Sequence, residues 1–170
     1  WARSFMGWPL MNTAQPNPAH RALKELVALG KIETLITQNV DSLHEQAGLT
    51  DVQHLHGDLR QVTCMVCGAS EPRTQLQVRL AKLNTHLELD GEIQPDGDAE
   101  IPSEVIRQFK IAHCLLCRGT LKPNVVFFGG QVDPALVQSI YRSIEQADAL
   151  WVIGSSLKLF SGYRFCRHAV

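Results

Sequence analysis

Apolar residues in the first part of the chain recur at helical spacing. Between Asn17 and Leu29 they recur at intervals of three and four residues, which is the spacing of one buried helix face. Pro18 suits a first turn, Asn17 is a potential N-cap, and Gly30 follows the last apolar residue. The pattern therefore predicts a helix over 17–29.

Two short segments that contain apolar residues follow this helix, at 34–37 and 52–55. Their length and their β-branched residues predict strands rather than helices. Between them, Asp41 is expected to cap a brief helix that runs to Gln46 and stops at Gly48.

A similar alternation returns near the C-terminus. Continuous apolar runs predict strands at Val125–Phe128 and Leu150–Ile153, and helical spacing over Pro134–Ala147 predicts an amphipathic helix between them. Strands that lack polar alternation and that alternate with helices are typical of a parallel sheet covered on both faces. We therefore expect an α/β fold.

The segment between these two α/β parts is more polar. Helical spacing predicts helices over 74–83 and over 103–109, the second with Ser103 as its cap, and the acidic stretch 90–102 predicts a loop. The first helix places three leucines on one face, namely Leu76, Leu80 and Leu83. We expect residues 59–121 to form a lobe inserted into a discontinuous domain made of 1–58 and 122–170.

Composition and charge exclude several classes of function. The 170 residues are 45% apolar and carry a formal net charge of −1, so a core is expected, but not a basic surface for nucleic acid. The apolar runs are far shorter than the roughly 20 residues that span a bilayer, and we expect no membrane partner.

The ends of the chain predict that it is part of a longer protein. It begins at Trp1 rather than Met, shows no signal or transit peptide, and ends at Val170 inside a predicted helix. A targeting segment can therefore lie outside the chain, and the sequence leaves the compartment open.

The most specific chemical signal is a pair of Cys-x-x-Cys turns, formed by Cys64 with Cys67 and by Cys114 with Cys117. Two such turns can supply a tetrahedral shell of four thiolates, which suits zinc. This shell has no open position, so we expect one structural zinc ion. Cys166 lies in the predicted C-terminal helix and is not expected to take part. The alternative is that the cysteines are redox-active or merely buried.

Gln38, Asn39, Val40 and Asp41 follow the strand predicted at 34–37. Ligands of open α/β sheets bind at the carboxyl ends of the strands, and an amide beside a carboxylate can recognise a carboxamide. The alternative is local, with Asp41 capping a helix and Asn39 forming a turn.

His56 follows the second predicted strand. Histidine titrates near neutral pH and can act as a general base, and Gly57 would leave the ring accessible. His54 is a rival for this role, and a purely structural histidine is the alternative.

Gly154, Ser155 and Ser156 follow the last predicted strand. Small residues with free N–H groups and hydroxyls suit a phosphate or a ribose at such a position. Many ordinary turns share this composition, so the segment alone decides nothing.

In chain order these segments resemble the motifs of the sirtuin family. The matching segments are Thr37–His44, Ala47-Gly48, Leu55–Gly57, both Cys-x-x-Cys pairs, Lys122–Gly129 and Gly154–Leu157. The wide interval between the cysteine pairs and the segment Ser161–Phe165 look like the class II branch, which includes mitochondrial and bacterial members.

The resemblance implies a Rossmann-like parallel sheet with an inserted zinc lobe. It also implies an enzyme that uses NAD to remove acyl groups from protein lysine, giving nicotinamide and O-acyl-ADP-ribose. The acyl oxygen would attack the ribose carbon as nicotinamide leaves, and His56 would then act as general base on a ribose hydroxyl. Asn39 and Asp41 would lie beside the nicotinamide.

The resemblance extends to the remaining contacts. Gln38, Val40 and the segment Gly154–Ser156 would also bind NAD. Five consecutive residues would pair with the substrate backbone as an added strand: Val125, Val126, Phe127, Phe128 and Gly129.

Two features depart from the family pattern. No Gly-x-Gly sequence occurs, so the family's glycine-rich loop for the NAD phosphates is absent from the chain. Gly130 stands where the family usually has an acidic residue, which is expected to alter contacts with the substrate.

Two other functions remain open at this point. A protein mono-ADP-ribosyltransferase would use the same cofactor with a side chain as acceptor. A non-catalytic zinc-stapled binding module would be favoured if His56 or Asn39 were missing, but both are present.

The expected location is the cytoplasm in a bacterium and the mitochondrial matrix in a eukaryote.

Overall fold

A computed structural model describes residues 1–88, 90–94 and 97–170. The helices are α1 Ala2–Thr13, α2 Pro18–Ala28, α3 Leu43–Gln46, α4 Arg73–Leu83, α5 Ser103–Gln108, α6 Pro134–Gln146 and α7 Phe160–His168. The strands are β1 Leu35–Thr37, β2 Val52–His54, β3 Gly57–Cys64, β4 Ser70–Pro72, β5 Glu92–Ile93, β6 Ala99–Glu100 and β7 Leu121–Val125. Within these described segments, no helix is long and apolar enough to cross a membrane.

The backbone divides into two compact units. Unit 1 consists of Trp1–Gln15 and Leu59–Asn124, and unit 2 consists of Pro16–Asp58 and Val125–Val170. The sequence placed residues 1–15 with the α/β part, whereas the structure groups them with the polar lobe.

Helix α1 joins unit 1 through a buried arginine. Arg73 is 1% exposed, and its guanidinium lies 5.5 Å from the ring centre of Trp1 and 4.8 Å from that of Trp8. It also donates to the carbonyl of Ser4 at 3.1 Å. A buried guanidinium requires such partners, and α1 supplies them.

The rest of unit 1 is built on a three-stranded sheet in the order β4-β3-β7. Strands β3 and β4 are antiparallel, with Gln61 opposite Pro72 and Thr63 opposite Ser70. The buried residues that pack together are Val62, Cys64, Leu76, Leu80, Ala112, Cys114 and Leu121. Two of the four motif cysteines are therefore part of the core of this unit.

Unit 2 contains the parallel pairing that the sequence predicts. Strands β1 and β2 run parallel, with Leu35 opposite Val52 and Thr37 opposite His54. Asn17 is the N-cap of α2, as expected, and its side chain accepts a hydrogen bond from the backbone N–H of His20. The buried core residues of the unit are Leu55, Val132, Val137, Ile140 and Phe165.

The strand predicted at Val125–Phe128 is wrong in its bounds. Strand β7 ends at Val125, because the residues before it pair in the sheet of unit 1. One further backbone hydrogen bond follows the strand, from the Val126 N–H to the carbonyl of His56 at 2.9 Å. Phe127 and Phe128 are then 57% and 96% exposed.

The strand predicted at Leu150–Ile153 is not formed. The segment has no regular structure, and Trp151 is 69% exposed. A buried strand needs a hydrogen-bonded neighbour to satisfy its backbone, and none of the described strands lies beside this segment.

Smaller corrections concern loops and helix ends. Within the predicted loop 90–102, β5 and β6 form a short antiparallel pair, and positions 95 and 96 lie outside the described residues. Helix α5 has Pro102 rather than Ser103 as its N-cap and has no side-chain cap bond, while the Ser103 hydroxyl donates to the Glu104 carboxylate. Leu83 is 40% exposed, because it lies at the last turn of α4.

Candidate functional site

The parallel pairing brings two predicted site segments to one edge of the sheet. The N–H of Leu55 donates to the carbonyl of Thr37 at 2.9 Å, which continues the pairing beyond β2. Because the strands run parallel, Gln38 and His56 both leave at their carboxyl ends.

Both ring nitrogens of His56 have partners. Nδ1 lies 3.1 Å from the carbonyl oxygen of Gln38, which can only accept, so Nδ1 carries the proton. Nε2 lies 3.0 Å from the hydroxyl of Ser161 and accepts its hydrogen. In the neutral imidazole, the contacts thus assign the proton to Nδ1 and the lone pair to Nε2.

Gln38 connects three segments of unit 2. Its backbone carbonyl holds His56, and its amide Nε2 donates to the Ser155 hydroxyl at 2.9 Å. The Ser155 hydroxyl also accepts the N–H of Leu157 at 3.2 Å. On its other side the amide faces Gly162, where a Cβ would lie 3.0 Å from the amide atoms.

A Gly162→Ala variant tests this close approach. Alanine gains up to about 1 kcal/mol over glycine inside a helix, but its methyl group should displace the Gln38 amide from Ser155. We expect a free energy of unfolding that is unchanged or lower in the single variant. In a Gln38→Ala background the same substitution should be stabilising, because the clash is gone.

Chemical unfolding of the four proteins of this cycle measures the interaction. Equal effects of Gly162→Ala in both backgrounds would contradict the packing described.

His56 lines a cavity of about 800 Å³ within unit 2. One wall is the segment 126–132, and the others come from α6, through Val137 and Tyr141, and from the start of α7, through Ser161 and Arg164. Ligand sites of proteins commonly enclose about 300–1,000 Å³, so this cavity can hold a small molecule or an extended side chain.

The wall that follows β7 makes a tight turn. Gly129 has a φ of +82°, and the Gly130 N–H donates to the carbonyl of Phe127 at 2.8 Å. A Cβ at Gly130 would lie 2.9 Å from that carbonyl oxygen. The glycine at this position is therefore suited to the conformation of the turn.

Asn39 and Asp41 lie on the loop after β1, and neither lines the cavity. The side chain of Asn39 is exposed and has no hydrogen-bond partner among the described residues, whereas its N–H donates to Thr37 Oγ1 at 3.1 Å. Asp41 accepts the N–H of Leu43 at 3.0 Å. The sequence predicted Asp41 as the cap of α3, but Ser42 occupies the N-cap position, with a φ of 56°.

Of the other residues predicted to bind NAD, Val40 is half-buried, Ser156 is exposed, and Gly154 has open space around its Cα, with a φ of +63°. Ser155 is held by Gln38 as described.

The rival histidine has a different environment. His54 Nε2 bonds to the Glu45 carboxylate, and His54 does not line the cavity. Its Nδ1 is buried and has no hydrogen-bond partner among the described residues. The geometry therefore favours His56 over His54 as a base that acts in the cavity.

In unit 1 the four motif cysteines converge. All four Sγ atoms lie within 4.8 Å of one another, with Cys64 to Cys117 at 3.5 Å and Cys67 to Cys114 at 3.7 Å. Zinc bound tetrahedrally by thiolates at about 2.3 Å places its sulfurs roughly 3.8 Å apart. The donor set thus fits one zinc ion, and Cys166 lies outside it.

Backbone N–H groups favour thiolate in this cluster. The N–H groups of Cys67 and Val66 lower the pKa of the Cys64 thiol to about 6. The N–H of Gly119 lowers the pKa of Cys117, but the thiols of Cys67 and Cys64 outweigh it and raise that pKa to about 12.

The sequence model of the Sir2 family matches residues 1–161 of the chain. The chain belongs to the Sir2 family. Its similarity to individual members is also high. It is 46% identical over 166 residues to the human mitochondrial NAD-dependent protein lipoamidase sirtuin-4, covering 97% of this chain and 53% of that protein.

A bacterial relative gives the same result. The chain is 46% identical over 170 residues to an NAD-dependent protein deacetylase of Xanthomonas axonopodis pv. citri, covering 99% of this chain and 58% of the relative. This Sir2-family chain therefore spans a little over half the length of the curated relatives it matches.

Solved structures confirm the fold class. A Sir2 homologue in complex with NAD superposes with a TM-score of 0.69 at 33% identity, covering 94% of this chain and 51% of that one. Sir2Tm bound to a propionylated peptide gives a TM-score of 0.71 at 26% identity, with 94% and 56% covered. The fold is thus the Rossmann-like α/β fold of Sir2 proteins with an inserted lobe that carries the four-cysteine site.

Sequence reasoning missed three contributors to the site. Ser161 and Gly162 belong to a segment that the sequence used only as a mark of one branch of the family, and the contact between Gln38 and Ser155 joins residues 117 positions apart. A serine followed by a glycine at the start of a predicted helix is too common a pattern to identify such contacts.

Proposed function

We propose that the intact protein is an NAD-dependent protein-lysine deacylase. The proposal rests on the environment of His56, which lines a cavity of ligand size. A backbone carbonyl fixes its Nδ1, and in the neutral ring its Nε2 is a hydrogen-bond acceptor. Membership of the Sir2 family and the names of the relatives support the same activity.

The residues around the sheet edge fit NAD. Asn39 has an unused amide, Gly154 leaves open space beside it, and Ser156 is exposed. We assign Asn39 and Asp41 to the nicotinamide, and Gln38, Val40 and Gly154–Ser156 to the rest of the cofactor. When bound, NAD supplies an activated ribose carbon with nicotinamide as the leaving group.

The residues of this chain then have separate roles. His56 Nε2 accepts the proton of a ribose hydroxyl, while the Gln38 carbonyl keeps Nδ1 protonated and the ring oriented. The four cysteines hold zinc as a closed structural site and take no part in the chemistry. We assign residues 1–58 and 122–170 to a discontinuous NAD-binding domain and 59–121 to the zinc lobe, although Trp1–Gln15 group with that lobe in unit 1.

The segment Val125–Gly129 is assigned to the peptide around the acylated lysine. Phe127 and Phe128 are exposed, as apolar residues that receive a partner would be. The Val126 N–H already bonds to His56, so an added strand must pair through other backbone groups of the segment.

We expect neither nucleic acid nor membrane as a partner, because the net charge is −1 and no basic excess exists. The human relative is named as mitochondrial. We therefore propose the mitochondrial matrix if the source is a eukaryote and the cytoplasm if it is a bacterium.

The activity is tested directly with the intact protein and peptides that carry acetyl-, propionyl- or lipoyl-lysine. Loss of an acyl group that requires NAD, followed by mass spectrometry, supports the proposal. Loss without NAD, or no loss from any peptide, would refute it.

Asp41→Asn tests the assignment of the nicotinamide site. The substitution keeps the shape and an oxygen that can accept the Leu43 N–H, but it removes the charge. We expect slower NAD turnover and weaker inhibition by nicotinamide, with unchanged thermal stability. The exposed Asp51 offers a matched control as Asp51→Asn, and equal behaviour of the two variants would contradict the assignment.

A further inference from the structure

The nitrogen that the proposed reaction uses as a base already has a partner. Ser161 Oγ lies 3.0 Å from His56 Nε2. In the neutral ring, Nδ1 donates to the Gln38 carbonyl, so Nε2 has only a lone pair and the Ser161 hydroxyl is the donor. A serine hydroxyl therefore occupies the lone pair that a ribose hydroxyl would need.

The structure holds Ser161 firmly in this place. It is the second residue of α7, whose first turn is closed by the N–H groups of Gly162 and Tyr163 donating to the carbonyl of Leu159. Phe165, one turn further, is 4% exposed and anchors the helix in the core of unit 2.

The same turn of α7 also contacts the residue that holds the other ring nitrogen. Gly162 is buried and packs against the side chain of Gln38, while the carbonyl of Gln38 binds Nδ1 of His56. The imidazole is thus fixed at both nitrogens by Gln38 and the start of α7, which pack on each other.

We propose that Ser161 is a positioning residue for His56, and this inference rests on the proposed function. Its hydroxyl fixes the ring plane with Nε2 at the cavity. Rotation about the serine χ1 angle, between staggered positions of similar energy, then releases the lone pair to the hydroxyl of a substrate. One neutral hydrogen bond replaces another, so the release costs little free energy.

The two chemical steps of the proposed reaction separate this role from a structural one. Departure of nicotinamide needs no base, so exchange of labelled nicotinamide into NAD should not depend on Ser161. Transfer of the acyl group needs Nε2 of His56, so it should.

Ser161→Ala removes the donor and keeps the helix, in which alanine is favourable. We expect kcat for deacylation to fall about three- to tenfold, the effect of one neutral hydrogen bond, with unchanged KM for NAD and for peptide and unchanged nicotinamide exchange. Ser161→Thr keeps the hydroxyl and should stay within about twofold of the wild type.

A spectroscopic measurement tests the contact itself. In ¹⁵N spectra of the His56 ring, recorded without NAD or peptide, Ser161→Ala should keep the Nδ1–H tautomer. The Nε2 signal should move to higher frequency, because this nitrogen loses a hydrogen-bond donor. An unchanged Nε2 signal would show that the contact does not exist, and unchanged deacylation by Ser161→Ala would overturn its positioning role.

These outcomes are distinguishable from a failure of the proposed function. A wild-type protein without NAD-dependent deacylation would overturn the function and the role of Ser161 together. Normal wild-type deacylation that is equal in Ser161→Ala would overturn the inference alone.

Discussion

Replacing His56 by tyrosine in the intact protein should lower the rate of deacylation by about a hundredfold or more, the usual contribution of a positioned general base. Tyrosine cannot take the proton of a ribose hydroxyl at neutral pH, because its unperturbed pKa is about 10. Nicotinamide exchange should persist, since that step needs no base. Rates at saturating NAD and acyl-peptide, together with exchange of labelled nicotinamide, measure both effects.

His54→Ala is the matched control, because His54 lies two residues away, bonds to Glu45 and does not line the cavity. Its deacylation rate should remain near that of the wild type. If His54→Ala abolishes turnover while His56→Tyr retains it, the base has been assigned to the wrong histidine. If neither substitution matters, there is no histidine base.

Removing the metal should have the largest effect on stability. Structural zinc contributes apparent free energies of about 10–16 kcal/mol to zinc-finger peptides, which matches or exceeds the roughly 5–15 kcal/mol that stabilises a typical domain. Cys64 and Cys114 belong to the core of unit 1. Chelation, or Cys64→Ser, should therefore abolish cooperative unfolding of this unit.

Metal analysis and thermal unfolding measure this effect. We expect one zinc ion per chain in the wild type and in the control Cys166→Ser, which lies outside the cluster, and less than one in Cys64→Ser. Purified protein without zinc, whose five thiols all react freely under native conditions, would contradict the metal site.

The success of the sequence predictions depended on how local the responsible interactions are. Helix α2 was predicted almost to the residue, because its cap, its proline and its terminal glycine are all encoded within the same stretch. The zinc cluster was predicted because two tight Cys-x-x-Cys turns leave few other arrangements for the thiols.

Predictions failed where a partner elsewhere in the chain decides the outcome. Val125–Phe128 and Leu150–Ile153 have the composition of buried strands, yet a strand exists only where a neighbour satisfies its backbone. Strand β7 ends at Val125, three residues before Phe128. The segment that contains the exposed Trp151 has no neighbouring strand among the described residues.

The candidate site shows the same division. His56 could be singled out because a glycine follows it, whereas its partners Gln38 and Ser161 are 18 and 105 residues away in sequence. The tautomer of His56, and with it the nitrogen that we propose as the base, follows only from these distant contacts.

As a deacylase, the intact protein would transfer an acyl group from lysine to the ribose of NAD. Mass spectrometry of a reaction with NAD and an acyl-lysine peptide tests it most directly. We expect nicotinamide, free lysine peptide and O-acyl-ADP-ribose in equal amounts. ADP-ribose attached to a protein side chain, with the acyl group still on lysine, would contradict it and indicate a mono-ADP-ribosyltransferase.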